Sequence, residues 1–233
     1  MHISGMKSTF SVQKAHRAQL LLSKHIILED MLPKKIRFVA GIDVAYAKKM
    51  SIGAAVVLDF NSLKLAETQT ALCETHFPYV PTLLSFREIP PTLSSIKKLR
   101  TQPDVILVDG QGFAHPYRCG FASHLGLVIG KPTIGVAKSK LIGEVEEDKT
   151  QEGVALLKDK DQVIGAMVTT KQNCKPVYVS VGHMVSLETA IKIIKRCTCD
   201  NRIPEPILKA HELATLEKRK FNIALTTNKK RRR

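Results

Sequence analysis

Asp43 stands inside an otherwise apolar stretch, Val39-Ala40-Gly41-Ile42-Asp43-Val44. An ionised carboxylate there carries a steep desolvation cost unless it is paired or coordinates a metal. Asp109 closes a second apolar run, Asp104-Val105-Ile106-Leu107-Val108-Asp109. In open α/β sheets ligands bind in the crevice beyond the carboxyl ends of parallel strands, so neighbouring strands would bring the two carboxylates together. Glu88, in Phe86-Arg87-Glu88 ahead of Pro90 and Pro91, can project into that crevice from a connecting helix, although taken alone it reads as a helix surface charge. Convergent carboxylates of this kind form a hard-oxygen site for Mg²⁺, with Mn²⁺ able to substitute.

Two other chemistries are weaker. Gly110-Gln111-Gly112-Phe113-Ala114-His115 follows a strand-like run as a dinucleotide-binding loop does. His115 stands where the third glycine is needed, and Asp109 would repel a pyrophosphate, so a nicotinamide or flavin enzyme is disfavoured. A glycine loop beside a metal carboxylate instead lets a phosphodiester or a base approach the backbone. Gly135-Val136-Ala137-Lys138 lacks the P-loop spacing. Cysteines 73, 119, 174, 197 and 199 are irregularly spaced and offer no zinc pattern, so they are expected to be reduced and buried.

The elements that must position these residues can be read from periodicity. Residues 11–25 have helical spacing, followed by strand-like stretches at 36–46, 52–60 and 62–72 that read as an antiparallel meander. A Pro-rich elbow at 76–81 leads into a helical segment at 83–100, interrupted by Pro90 and Pro91. A short apolar strand at 104–108, a helix at 119–129 and a strand at 133–137 come next. Strands at 162–169 and 177–181 and helices at 187–197 and 205–220 complete the pattern. The predicted fold is α/β: a mixed central sheet, three antiparallel strands then parallel strands, flanked by helices. That order of elements resembles the ribonuclease H-like nucleases, an analogy of topology that proves no chemistry. One domain, 1–228, with a basic tail at 229–233, accounts for the chain.

Composition narrows the partner. The 233 residues are 44% hydrophobic, enough for a core, and 36 Lys plus Arg against 21 Asp plus Glu leave a formal charge of +15. A polyanion is the first partner to consider. The longest apolar runs, 52–58 and 105–108, are too short to span a bilayer, so no membrane association is expected. The first residues show no secretion signal, which predicts a cytoplasmic protein. A monomer is expected.

Six ordered blocks then carry a resemblance: FVAGIDVAY (38–46), FPYVPTLLSFRE (77–88), DGQGFAHPYRCGFASHLG (109–126), PTIGVAKSKLIG (132–143), VYVSVGH (177–183) and RIPEPILKAH (202–211). Together they are similar to the signature blocks of the endonuclease V family, from about residue 10 to 220. The resemblance implies a ribonuclease H-like fold and an Mg²⁺-dependent endonuclease. It implies hydrolysis of a phosphodiester on the 3′ side of inosine, one nucleotide beyond the lesion, as a DNA repair activity. The partner is inosine-containing DNA, with inosine in edited RNA as an alternative. A non-catalytic nucleic-acid-binding protein is the rival reading, disfavoured because binding a polyanion calls for cations and not buried carboxylates.

The same resemblance assigns the metal to Asp43, Asp109 and Glu88 and adds Lys138 and His211 as catalytic residues. Read alone, His211 is a core or surface histidine and Lys138 a solvated strand-end lysine. It makes Pro78-Tyr79-Val80-Pro81 a strand-separating wedge, consistent with an aromatic ring held between rigid prolines and able to stack on a base. Thr82, Leu84, Gly110, Gly112, Gly120 and Gly135 match the base pocket, and His115 and Arg118 the nucleic-acid contacts. Two positions depart from the family pattern: Thr82 where glycine is usual, and Tyr117 where arginine is common.

Overall fold

The computed structural model describes residues 11–147 and 153–230. Among these, nine strands form one sheet in the order β3-β2-β1-β4-β5-β9-β8-β7-β6. β1 (Phe38–Ala47) pairs antiparallel with β2 (Met50–Asp59), and β2 with β3 (Leu65–Glu74), which is the expected meander. The third strand starts at Leu65 and not Ser62, because residues 60–64 form a turn. There the Asp59 carboxylate accepts from the Asn61 and Ser62 amides, and Leu63 adopts a φ of 53°.

β4 (Val105–Asp109) then runs parallel to β1, and β5 (Thr133–Ala137) parallel to β4. The parallel run ends there, contrary to expectation. β9 (Val177–His183) lies antiparallel to β5, and β8 (Gln162–Val168), β7 (Val154–Asp159) and β6 (Glu144–Glu147) continue antiparallel. β6 and β7 escape sequence reading. β6 is Glu144-Val145-Glu146-Glu147, a charged edge strand of the kind that discourages pairing with another chain.

Side chains alternate between two layers. Val39, Val105 and Leu107 point to the face covered by α4 (Leu187–Arg196) and α5 (Glu205–Lys230). Ala40, Ile42, Ile106 and Val108 point to the face covered by α2 (Leu84–Ile96) and α3 (Phe121–Ile129). α2 runs through Pro90 and Pro91 without the expected interruption. Proline φ is helical, and burial of Ile89, Pro91 and Thr92 against the sheet offsets the lost backbone hydrogen bonds. α1 (Val12–Ser23) rests against α3, burying only Ala15 and Gln19.

α5 continues past the predicted end at 220. Lys229 and Lys230, assigned to a tail, close this helix, and residues 231–233 lie outside the described ones. Where α5 begins is fixed by Gly41: a Cβ there would stand 1.9 Å from the Pro206 carbonyl oxygen, so only glycine lets the first turn seat directly on β1. All five cysteines are free, but only Cys119 and Cys197 are buried. No described helix is long and apolar enough to cross a membrane.

Candidate active site

The register sets the acidic pair. Ile42 lies opposite Val108 at the end of the parallel ladder, so Asp43, midway along β1, and Asp109, the last residue of β4, are neighbours on one face of the pleat. α5 supplies the third group. Five residues of helix from Pro206 rise about 7.5 Å and two residues of strand from Gly41 about 6.6 Å, which brings His211 over Asp43. His211 Nδ1 donates to Asp43 Oδ2 at 2.8 Å. Ligating atoms of Asp43, Asp109 and His211 lie within 4.8 Å of one another, and among the described residues they are the group able to hold a metal ion.

Lys138, one residue past β5, donates from Nζ to Asp109 Oδ2 at 2.5 Å. Burial, then the neighbouring Asp109 charge, hold the Asp43 carboxyl above its ordinary pKa. The chemistry of the donor set fits a divalent ion: two crowded carboxylates and an imidazole, with too little cationic charge around them to keep Asp43 at its usual acidity.

Glu88 is not in that group. α2 lies on the opposite face of the sheet from α5, and Glu88 approaches from there, 7% exposed, with Oε1 accepting from the Tyr46 hydroxyl at 3.1 Å. Burial pushes its pKa up to about 8, and the charges of Asp43 and Asp109 add to the rise. Tyr46, overlooked in sequence, sits three residues after Asp43 and so faces the other way, toward α2. The Arg87 guanidinium lies 4.2 Å over its ring.

Beside the acids lies a cavity of about 320 Å³. Tyr79, Val80, Pro81, Thr82, Leu84, Gly110, His115 and Gly120 line it, as do Ser85, Gln111, Ser139, Lys140 and Leu141, which lie within the family-like blocks but carry no role read from sequence. Tyr79 is 71% exposed, which excludes a core role. The two sites share a wall, since Gly110 follows Asp109 and Ala137 precedes Lys138.

Four expected contacts resolve differently. Gly112 and Gly135 lie beneath the cavity: a Cβ on Gly135 would come within 2.5 Å of the Gly112 nitrogen, and one on Gly112 within 2.2 Å of the Val181 oxygen. They let the loop after β4 lie flat on β5 and β9. The Arg118 guanidinium is consumed internally, by Asp159 at 2.6 Å, Gln162 at 2.9 Å and the His115 carbonyl at 3.1 Å. It ties the loop to the β7–β8 hairpin, whose first strand sequence reading missed. His115 is 3% exposed, and burial lowers its pKa to about 4. With the Tyr117 amide donating to its Nδ1 at 3.2 Å, the neutral ring donates from Nε2 to the Thr82 carbonyl at 3.0 Å. It braces the cavity and does not offer a cation to phosphate.

A second cavity opens from the acids along α5, where His211, Thr215, Lys218, Arg219 and Asn222 line one face.

Comparison with known proteins agrees with this geometry. The endonuclease V family model matches residues 21–212. The chain is 44% identical over 216 residues to an endonuclease V of Thermofilum pendens, covering 92% of each chain. Its fold is similar to the crystal structure of endonuclease V from Streptomyces avermitilis, with a TM-score of 0.85 at 37% identity, over 94% of this chain and 97% of that one. A Ciona intestinalis endonuclease V variant, crystallised with a 23mer DNA containing an inosine followed by a ribo-adenosine, matches with a TM-score of 0.81 at 34% identity, over 90% and 98% of the two chains.

Proposed function

The chain belongs to the endonuclease V family, and on that premise we propose that it is a metal-dependent endonuclease that recognises inosine and hydrolyses the strand on its 3′ side, one nucleotide beyond the lesion. The observation that carries this reading is the shared wall: a base-sized cavity and the cleft holding the metal-ligating groups meet at the ends of β4 and β5, where Asp109 precedes Gly110 and Lys138 follows Ala137. Asp43 and Asp109 would hold Mg²⁺, or Mn²⁺ in its place, with His211 beside them and Glu88 behind. A bound divalent ion supplies charge neutralisation at the scissile phosphate and a more acidic water.

The chain's own residues do the rest. Lys138 Nζ, anchored on Asp109, is placed to meet a phosphate oxygen. His211, with Nδ1–H given to Asp43, keeps Nε2 as a proton acceptor facing the open side. Tyr79 stacks where the base has left the helix. Polar groups around the cavity answer position 6 of the purine, an acceptor in hypoxanthine and a donor in adenine. Lys218 and Arg219 extend the cationic path. Arg219 lies eight residues along α5 from His211, about 12 Å at 1.5 Å per residue, the axial rise of about three to four nucleotides at 3.4 Å each.

A second reading has its own support. The Ciona complex carries a ribose on the nucleotide after the inosine, which favours inosine in RNA as a substrate of this chain as well. Cleavage of matched DNA and RNA strands with one inosine, with Mg²⁺ and with chelator, tests both readings, the product ends giving the cut position. Cleavage that persists in chelator, or equal cutting of adenosine controls, overturns the proposal.

A further inference from the structure

Thr82 has a φ of 69°, a left-handed conformation that costs a β-branched residue about 1–2 kcal/mol. Something must hold it there, and four contacts do. Its carbonyl accepts from Gln19 Nε2 at 2.8 Å and from His115 Nε2 at 3.0 Å. Its hydroxyl donates to the Pro81 carbonyl at 2.5 Å and meets His16 Nε2 at 3.0 Å. Beyond His16 stands Tyr117, stacked with ring centroids 4.2 Å apart and its hydroxyl 3.0 Å from His16 Nδ1.

With the His16 ring neutral, the hydrogens have one consistent direction. The Thr82 proton is committed to Pro81, so its oxygen receives from His16 Nε2–H. That leaves Nδ1 as the acceptor for the Tyr117 hydroxyl. The result is a polarised relay, Tyr117 to His16 to Thr82 to Pro81, ending in the prolyl turn that carries exposed Tyr79. It also explains α1. That helix buries little apolar surface, yet His16 and Gln19, three residues apart on one face, both reach Thr82.

We propose that His16 is a positioning residue for substrate: through Thr82 it fixes the aim of Tyr79 and the width of the cavity mouth, and so sets the selection of the base. The role in selection rests on the inosine reading above, whereas the mechanical role does not, and the experiment separates the two.

The chain has no tryptophan. Tyr79→Trp therefore places the single indole of the protein on the turn, whose anisotropy, excited beyond tyrosine absorption, is read in the free protein. His16→Ala in that background lowers the anisotropy of the introduced indole, and His16→Gln, which keeps one donor and one acceptor, restores it. With native Tyr79, His16→Ala raises KM for an inosine strand about tenfold, leaves kcat within about twofold, and lowers the preference over adenosine. In a Thr82→Gly background, where the hydroxyl is gone, His16→Ala adds nothing further. Unchanged anisotropy and KM in His16→Ala, or a loss of thermal midpoint with neither, overturns the inference. If the native protein does not cut inosine strands, the function proposed above fails, and the anisotropy arm alone then decides the relay.

Discussion

At the scale of single residues, the Asp43 carboxyl is partly buried beside a like charge and relieved by the His211 imidazole and the Val44 amide. Such an arrangement is costly for folding alone and useful when a divalent ion arrives. Asp43→Asn or Asp109→Asn should lower single-turnover cleavage of an inosine strand at least about hundredfold. Binding of the same strand, followed by fluorescence titration, should change only a few-fold, since the base cavity and the α5 cations remain. Asp43 and Asp109 were legible in sequence because a carboxylate in an apolar strand advertises its own cost. His211 was legible only through family resemblance, because a histidine on an amphipathic helix looks the same whether it faces solvent or an aspartate. Thr82 and Tyr117, noted as departures from the family pattern, prove to be joined through His16, a pairing that no spacing along the chain could reveal.

Among elements, α5 does two things at once, closing one face of the sheet and delivering His211. Gly41→Ala tests that coupling. The added Cβ meets the Pro206 carbonyl, so α5 must lift from β1. We expect a stability loss of at least about 2 kcal/mol in denaturant titration, with cleavage falling further than stability alone explains. The outer half of α5 is tested by salt. Replacing Lys218 and Arg219 with alanine should reduce the slope of log affinity against log salt by about 0.7 to 0.9 per cation removed, leaving base preference intact. The meander and the β4–β5 pair were readable from apolar runs bounded by turns. The β6–β7 half of the sheet was not, because β6 has glutamates where a strand signal needs apolar alternation. Its partner β7 pairs with β8 across a tight turn, and the Arg118–Asp159 bridge that fixes this hairpin is a contact distant in sequence.

Across the whole molecule, charge and proton balance act together. His115 and His124 are both held by burial at about 4, below the ordinary histidine value of 6.5. Their folded pKa is depressed, so the stability they contribute is present above 6.5 and is lost as pH falls toward 4, each adding a slope of about 1.4 kcal/mol per pH unit. Glu88 acts in the opposite sense. Its folded pKa is raised from 4.5 to about 8, and its contribution is lost as pH rises through that interval. A difference measurement cancels Glu88. His124→Gln, which can still reach Ser85, should remove about half of the combined histidine slope between pH 6.5 and 4 in denaturant midpoints, and identical slopes would refute the assignment. If the proposed function holds, the wall between the two sites sets where the strand is cut. Asp109 and Gly110 are joined by a peptide bond, as are Ala137 and Lys138, and the strands behind them are buried in the sheet. Under the proposed function, the distance from captured base to hydrolysed bond is therefore a covalent ruler. On that reading it counts along the sugar-phosphate chain without reading letters, so we expect the offset of the cut to be the same in every flanking context and any error in it to be a whole nucleotide.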